Sequence, residues 1–188
     1  MADAEEFKTT ETNGDKNENS APAGSSGETG AFGSNVHISS HPILNHKITI
    51  LRSSETRAGT FRAAMKEVTY HLAYEATRTL TTKPIQVSVA VPKRPGTHVQ
   101  CEGSKLNERV ALVPILRSGL GMADALSELL PNAAEYHIGM YKIKHQDPVL
   151  YFNRLPRECK SDVAYVLDPV IATASTTISV VRILRKVR

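Results

Sequence analysis

The sequence predicts an α/β domain built around a parallel sheet and preceded by a disordered tail. Between Arg109 and Arg188 the chain runs strand, helix, strand, loop, strand, helix, the order of βαβ units. Its strand segments, "RVALVPIL" and "VAYVL", are short continuous apolar runs, as strands covered on both faces require. The first thirty-four residues, by contrast, are rich in Gly, Ser, Asn, Glu and Thr and nearly free of large apolar groups. Such a stretch buries too little apolar surface to offset its ordering entropy. Residues 1–34 are therefore read as a disordered, acidic, low-complexity tail and 35–188 as the domain.

The elements follow in order. From Thr56 to Leu80 the pattern is helical, with Phe61, Met65, Val68 and Leu72 on one face and Lys83-Pro84 as its stop. "IQVSVAV" alternates, with Ile85, Val87, Val89 and Val91 on one side, which predicts a half-buried strand antiparallel to a neighbour. "PKRPGTHVQCEGSK" is turn chemistry and reads as an arm or hairpin tip. "RVALVPIL" is the buried strand, "RSGLG" its exit, and "MADALSELL" a helix whose Met122, Leu126, Leu129 and Leu130 share a face before Pro131. "AEYHIGMY" and "VAYVL" supply two further strands. The final helix turns Val180, Ile183, Leu184 and Val187 inward and Arg182, Arg185 and Lys186 to solvent.

Charge and cysteine usage narrow the function classes. The tail carries −5 and the remainder +9, a balance that suits a phosphate-bearing partner and equally an ordinary lysine-rich surface. No signal peptide, transit peptide or membrane span is legible. Two distant cysteines, Cys101 and Cys159, fit a reducing, cytoplasmic setting. No CxxC, HExxH or zinc spacing occurs and the seven histidines are scattered, so no protein-held metal is expected. Ten Tyr and Phe, no Trp and no aromatic-basic interleaving argue against nucleic acid.

In open parallel sheets, ligands bind beyond the carboxyl ends of the strands. Three loops fall there: Leu116 to Gly121, Lys142 onward, and Asp168 to Thr176. Asp168 puts two acceptor oxygens at a strand exit, suited to vicinal ribose hydroxyls. Ala172, Thr173, Ala174, Ser175 and Thr176 are small or hydroxylated and enter a helix, where free N–H groups and the dipole favour an anion. Taken alone, this loop is better explained as a helix cap by Thr173 or Ser175. Arg117 can fork onto phosphate oxygens, and Gly119 and Gly121 allow close backbone approach or unusual φ. A plain strand-to-helix turn capped by Ser118 explains that loop equally well. Lys142 alone would be a solvated lysine. Convergence of all three on one edge favours a ribose bearing phosphate at both ends.

These segments together resemble the uracil phosphoribosyltransferases. "HPILNHKITILR", "FRAAMKEVTYHLAYEATRTL", "VALVPILRSGLGMADALSELLPNA", "YHIGMYK" and "YVLDPVIATASTT" follow that family's order and spacing across most of Ser40 to Arg188. The resemblance implies a type I phosphoribosyltransferase fold: a parallel sheet with flanking helices and a β-arm. It implies transfer of the phosphoribosyl group of 5-phosphoribosyl 1-diphosphate to uracil, giving UMP and diphosphate in pyrimidine salvage. Magnesium would ride on the diphosphate. Arg117 and Lys142 would contact the diphosphate, Asp168 the ribose hydroxyls, and Ala172 to Thr176 the 5′-phosphate, with Asp168 and Arg117 as catalytic groups. "AYEAT", Ala73 to Thr77, lies where the family packs subunits, so a homo-oligomer is implied, and a GTP effector, known for some relatives, is admitted.

Three departures from the pattern stand out. Lysine occupies position 142 where the family usually has arginine, which keeps the charge and loses the fork. Ser175 occupies the second glycine position of a loop that usually reads Thr-Gly-Gly-Ser or Thr-Ala-Gly-Ser. If that position needs positive φ, the non-glycine residue costs about 1–2 kcal/mol. The sequence also ends at Arg188, inside the last helix, whereas the family continues to a uracil-recognising segment near "YIVPGLGDFGD". A domain incomplete at its C-terminus is expected, with about three parallel strands and no turnover by the 188-residue chain itself. The rival readings are a non-catalytic nucleotide-binding or regulatory relative and an inactive fragment.

Overall fold

The computed structural model describes residues 35–143 and 147–187; the predicted tail, 1–34, lies outside the described residues. The chain divides into two units, 1–40 and 41–188. Residues 35–40 are irregular, and everything below concerns the second unit.

Helix α1, Pro42–Arg52, starts with proline at its first position, and the His41 ring accepts the Ile43 N–H at 3.3 Å. Helix α2, Ala58–Ala76, packs on it and is tied to it by Lys47 and Glu67 at 2.5 Å. The buried stripe of α2 is Ala64, Val68, Thr69 and Ala73. The expected stripe holds in part: Val68 is buried and Met65 half-buried, whereas Phe61 and Leu72 are each 40% exposed. Small side chains let two helices approach closely, and Ala73 packs with Ala123 and Leu126 of helix α3, Leu120–Leu129.

A 3₁₀ turn, Thr77–Thr79, ends this region before the predicted Lys83-Pro84 stop. Pro84 instead lies in strand β1, Thr82–Ala90, which pairs antiparallel with β2, His98–Leu106, as the predicted arm. At its base the Glu108 carboxylate accepts the Thr81 N–H at 3.0 and 3.1 Å and the Thr81 hydroxyl at 2.7 Å. These bonds lower the Glu108 pKa.

The sheet centres on β3, Val110–Leu116, buried from Val110 to Ile115. On one side lies parallel β7, Val163–Leu167, with Val110 opposite Val163. On the other lie β4, Ala134–Glu135, and β5, Ile138–Tyr141, also parallel to β3. Ala111 faces Ala134 and Ile115 faces Ile138, so both pieces keep one register and form a single interrupted line. Three parallel lines result, as expected. Beyond β5, antiparallel β6, Val149–Asn153, forms an edge that the sequence pattern did not reveal. A bulge at Gly139 and Met140 fits the pair together. A Cβ on Gly139 would lie 2.5 Å from Cζ of Tyr151, so glycine admits that ring.

Alternation along β3 divides the core. Val110 and Leu112 pack with Ala73 of α2, with Ala123 and Leu126 of α3, and with Leu167. Val113 and Ile115 pack with Ile138, Met140 and Val180. Val180 belongs to the last helix, α4, Ser175–Leu184. Both faces are covered, which explains the unbroken apolar runs. At the N-terminal edge, Arg109 and Asp162 clamp the starts of β3 and β7. The Arg109 N–H donates to Asp162 Oδ2 at 2.7 Å, Nε to the same oxygen at 3.1 Å, and Nη2 to Oδ1 at 2.9 Å. These donors hold the Asp162 carboxyl at about 2, below its ordinary 3.8.

Candidate active site

The carboxyl ends of β3, β5 and β7 deliver the three loops to one edge. Chain exits β3 through Leu116 and Arg117, joined by a cis peptide, and turns at Ser118 and Gly119 into α3. A Cβ on Gly119 would stand 2.4 Å from the Leu167 carbonyl oxygen and 2.7 Å from the Ile115 nitrogen. Neither is a flexible side-chain end, so only glycine allows this turn to press against the end of β7. Gly121 is different: a Cβ there meets open space and its φ is not positive. The expectation of a special role for both glycines therefore holds for Gly119 alone.

That close approach brings Ser118 to Asp168, the first residue beyond β7. Ser118 Oγ donates to Asp168 Oδ1 at 3.2 Å. Asp168 is half-buried and its other oxygen accepts no bond from the described residues. Sequence reasoning treated Ser118 only as a cap; the link to Asp168 depends on a contact between two strands far apart in the chain.

The chain then climbs to Ala174, the N-cap of α4, at φ 57° and ψ −1°. The positive φ therefore falls on Ala174, and Ser175 is the first helical residue, so the expected backbone strain at Ser175 is not found. An alanine in this conformation costs about 1–2 kcal/mol. Lys142, just past β5, donates from Nζ to Thr173 Oγ1 at 3.1 Å, and Thr173 Oγ1 lies 3.1 Å from Ser175 Oγ.

Lys142, Asp168 and residues 170–177 line one cavity of about 230 Å³. The structure thus brings together Lys142, Asp168, Ala172, Thr173, Ala174, Ser175 and Thr176. Arg117 does not line this cavity. It is exposed on the neighbouring loop, one residue before Ser118, and its side chain has no hydrogen bond or ion pair among the described residues. A larger cavity of about 790 Å³ adjoins the first through Val170. Ser118 lines it, as do Arg62 of α2 and Asp124 of α3; nothing in the sequence pattern marked it.

The chemistry of the edge follows. Small residues and free helix N–H groups at 172–176 can surround an anion. Asp168 offers an acceptor for hydroxyls, and two cations stand nearby without a carboxylate partner among the described residues. Among the described residues no three His, Cys, Asp or Glu side chains gather as a metal cage.

Comparison with known proteins gives a consistent answer. Residues 38–188 match the family model described as uracil phosphoribosyltransferase. The chain is 40% identical over 153 residues to the uracil phosphoribosyltransferase of Roseiflexus sp., covering 80% of this chain and 70% of that one. It is 35% identical over 152 residues to that of Thermosipho melanesiensis, again covering 80% and 70%. A solved structure of an Aquifex aeolicus protein superposes with a TM-score of 0.70 at 28% identity, covering 80% of this chain and 69% of that chain.

Proposed function

The chain belongs to the uracil phosphoribosyltransferase family, and from that premise we propose how its residues serve the reaction. The family's enzymes are pentosyltransferases, acting on 5-phosphoribosyl 1-diphosphate and uracil to give UMP and diphosphate. In the proposed arrangement Asp168 accepts from the ribose hydroxyls, held in place by Ser118. Residues 172–176 wrap the 5′-phosphate at the start of α4. Arg117 and Lys142 face the diphosphate. The observation that carries this reading is the single cavity lined by Lys142, Asp168 and residues 170–177 beyond the strand ends.

The role of each group follows from where charge develops. The bond from the anomeric carbon to diphosphate breaks, the carbon becomes cationic, and the departing oxygens gain negative charge. A ring nitrogen of uracil then bonds to that carbon, and its proton passes to water or to the departing diphosphate. Fixed cations aimed at developing charge contribute strongly, often about 3 kcal/mol for one contact. Arg117 and Lys142 have that role, and no side chain needs to act as a nucleophile. Magnesium bound to the diphosphate would neutralise further charge on the leaving group.

The reading extends to the whole protein. A homo-oligomer is supported by Ile43, Phe61, Leu72 and Tyr74, large apolar side chains exposed on α1 and α2. A cytoplasmic setting is supported by two free cysteines. No helix among the described residues is long and apolar enough to cross a membrane. GTP is proposed as an effector by family resemblance alone.

Two measurements test the reading. Titration calorimetry with 5-phosphoribosyl 1-diphosphate and magnesium should detect binding, and the protein carried at the full length of its relatives should form UMP from uracil. No affinity for the sugar diphosphate overturns the site; affinity without UMP overturns the catalytic assignment.

A further inference from the structure

Lys142, Thr173 and Ser175 form an unbranched side-chain hydrogen-bond chain. Lys142 Nζ lies 3.1 Å from Thr173 Oγ1, which lies 3.1 Å from Ser175 Oγ. An ammonium has hydrogens to give and no lone pair, so Thr173 accepts there. Thr173 keeps its own proton and a second lone pair, so its bond with Ser175 Oγ can run in either direction. The chain begins at a positive charge and ends on the first residue of α4. All three side chains line the same cavity.

We infer that Lys142 serves the 5′-phosphate end of the ligand through Thr173 and Ser175, as a positioning residue, besides its place at the diphosphate. This rests on the phosphoribosyl reading of the site. Hydrogen bonds in series polarise one another, so the ammonium makes the Thr173 hydroxyl a stronger donor, whether its proton goes to Ser175 or to a phosphate oxygen. It also holds Thr173 beside Ser175 before a ligand arrives. The lysine at 142 and the serine at 175 are two of this chain's departures from the family pattern, and Thr173 joins them into one unit. Ala174, with its left-handed backbone, sets Ser175 at the start of the helix, facing the same cavity.

Ribose 5-phosphate separates this role from the diphosphate role, because it has the hydroxyls and the 5′-phosphate and lacks the diphosphate. Its affinity is measured by titration calorimetry on the full chain, with circular dichroism to verify folding; Lys142 is exposed and its removal should leave the fold intact. Lys142→Met should weaken ribose 5-phosphate about tenfold, the size of one charge-assisted hydrogen bond. Thr173→Val should weaken it at least as much, and Thr173→Ser should restore it. The double variant Lys142→Met with Thr173→Val should bind no worse than Thr173→Val alone, because the lysine acts through the threonine. Inorganic diphosphate should be weakened by Lys142→Met and not by Thr173→Val. Unchanged ribose 5-phosphate affinity in Lys142→Met, or losses that multiply in the double variant, overturn the inference and leave the site reading standing. Failure of the folded wild-type protein to bind ribose 5-phosphate overturns both.

Discussion

The two edges of one sheet carry similar residues to opposite ends. At the N-terminal edge, Arg109 and Asp162 meet through three hydrogen bonds, and Glu108 is engaged by Thr81. Each of those charges finds its partner within the chain. At the carboxyl edge, Arg117 has no side-chain partner among the described residues, Lys142 donates to a hydroxyl, and Asp168 accepts from a hydroxyl. An ion pair that closes on itself contributes to structure and leaves nothing for a ligand. Cations and a carboxylate that meet only neutral groups keep their charge available to one. The difference lies in how the charges are matched, and it separates scaffold from site more clearly than composition does.

Substitutions at each edge sharpen that contrast. The largest effect belongs to Arg117→Ala, which removes a cation that supports nothing in the fold. In the protein carried at the full length of its relatives, UMP formation should slow about 100-fold, from the loss of about 3 kcal/mol of leaving-group stabilisation, with an unchanged thermal midpoint. A drop in stability of the same size would place Arg117 with the scaffold. Gly119→Ala should do both kinds of damage. Its methyl group collides with the Leu167 carbonyl, so destabilisation of about 1–3 kcal/mol is expected in thermal melts. Affinity for the sugar diphosphate should fall with it as Ser118 withdraws from Asp168. The smallest effect lies at the closed edge. Asp162 has its folded pKa lowered from 3.8 to about 2. Its contribution is therefore fully present above about pH 4 and is lost as pH falls through about 2. Asp162→Asn should flatten the acid limb of stability in that window and leave substrate affinity at neutral pH unaltered, both followed by denaturation and calorimetry.

Legibility in the sequence followed burial. Strands β3 and β7 and helices α3 and α4 were readable because both faces of the sheet are covered, which prints continuous apolar runs and a clear helical stripe. Strand β6 was not, since four of its five residues are exposed and it pairs along an edge. Helix α1 buries none of its residues and left no clear stripe. On α2 the period was visible and Val68 is buried as read, but Ala64, Thr69 and Ala73 rather than the larger Phe61 and Leu72 complete the buried face. In the site, Asp168, Lys142 and the 172–176 loop were legible as residue types at strand exits. The Ser118 bond to Asp168 was not, because it depends on Gly119 bringing together residues fifty positions apart. Nor was the left-handed turn at Ala174, since alanine carries no signature of that conformation.

The absent side chain at Gly119 has one more result. With no Cβ between them, the turn after β3 rests directly on the last carbonyl of β7. Two loops that arise fifty residues apart in the chain thereby meet as neighbours, and Ser118 reaches Asp168 across the seam.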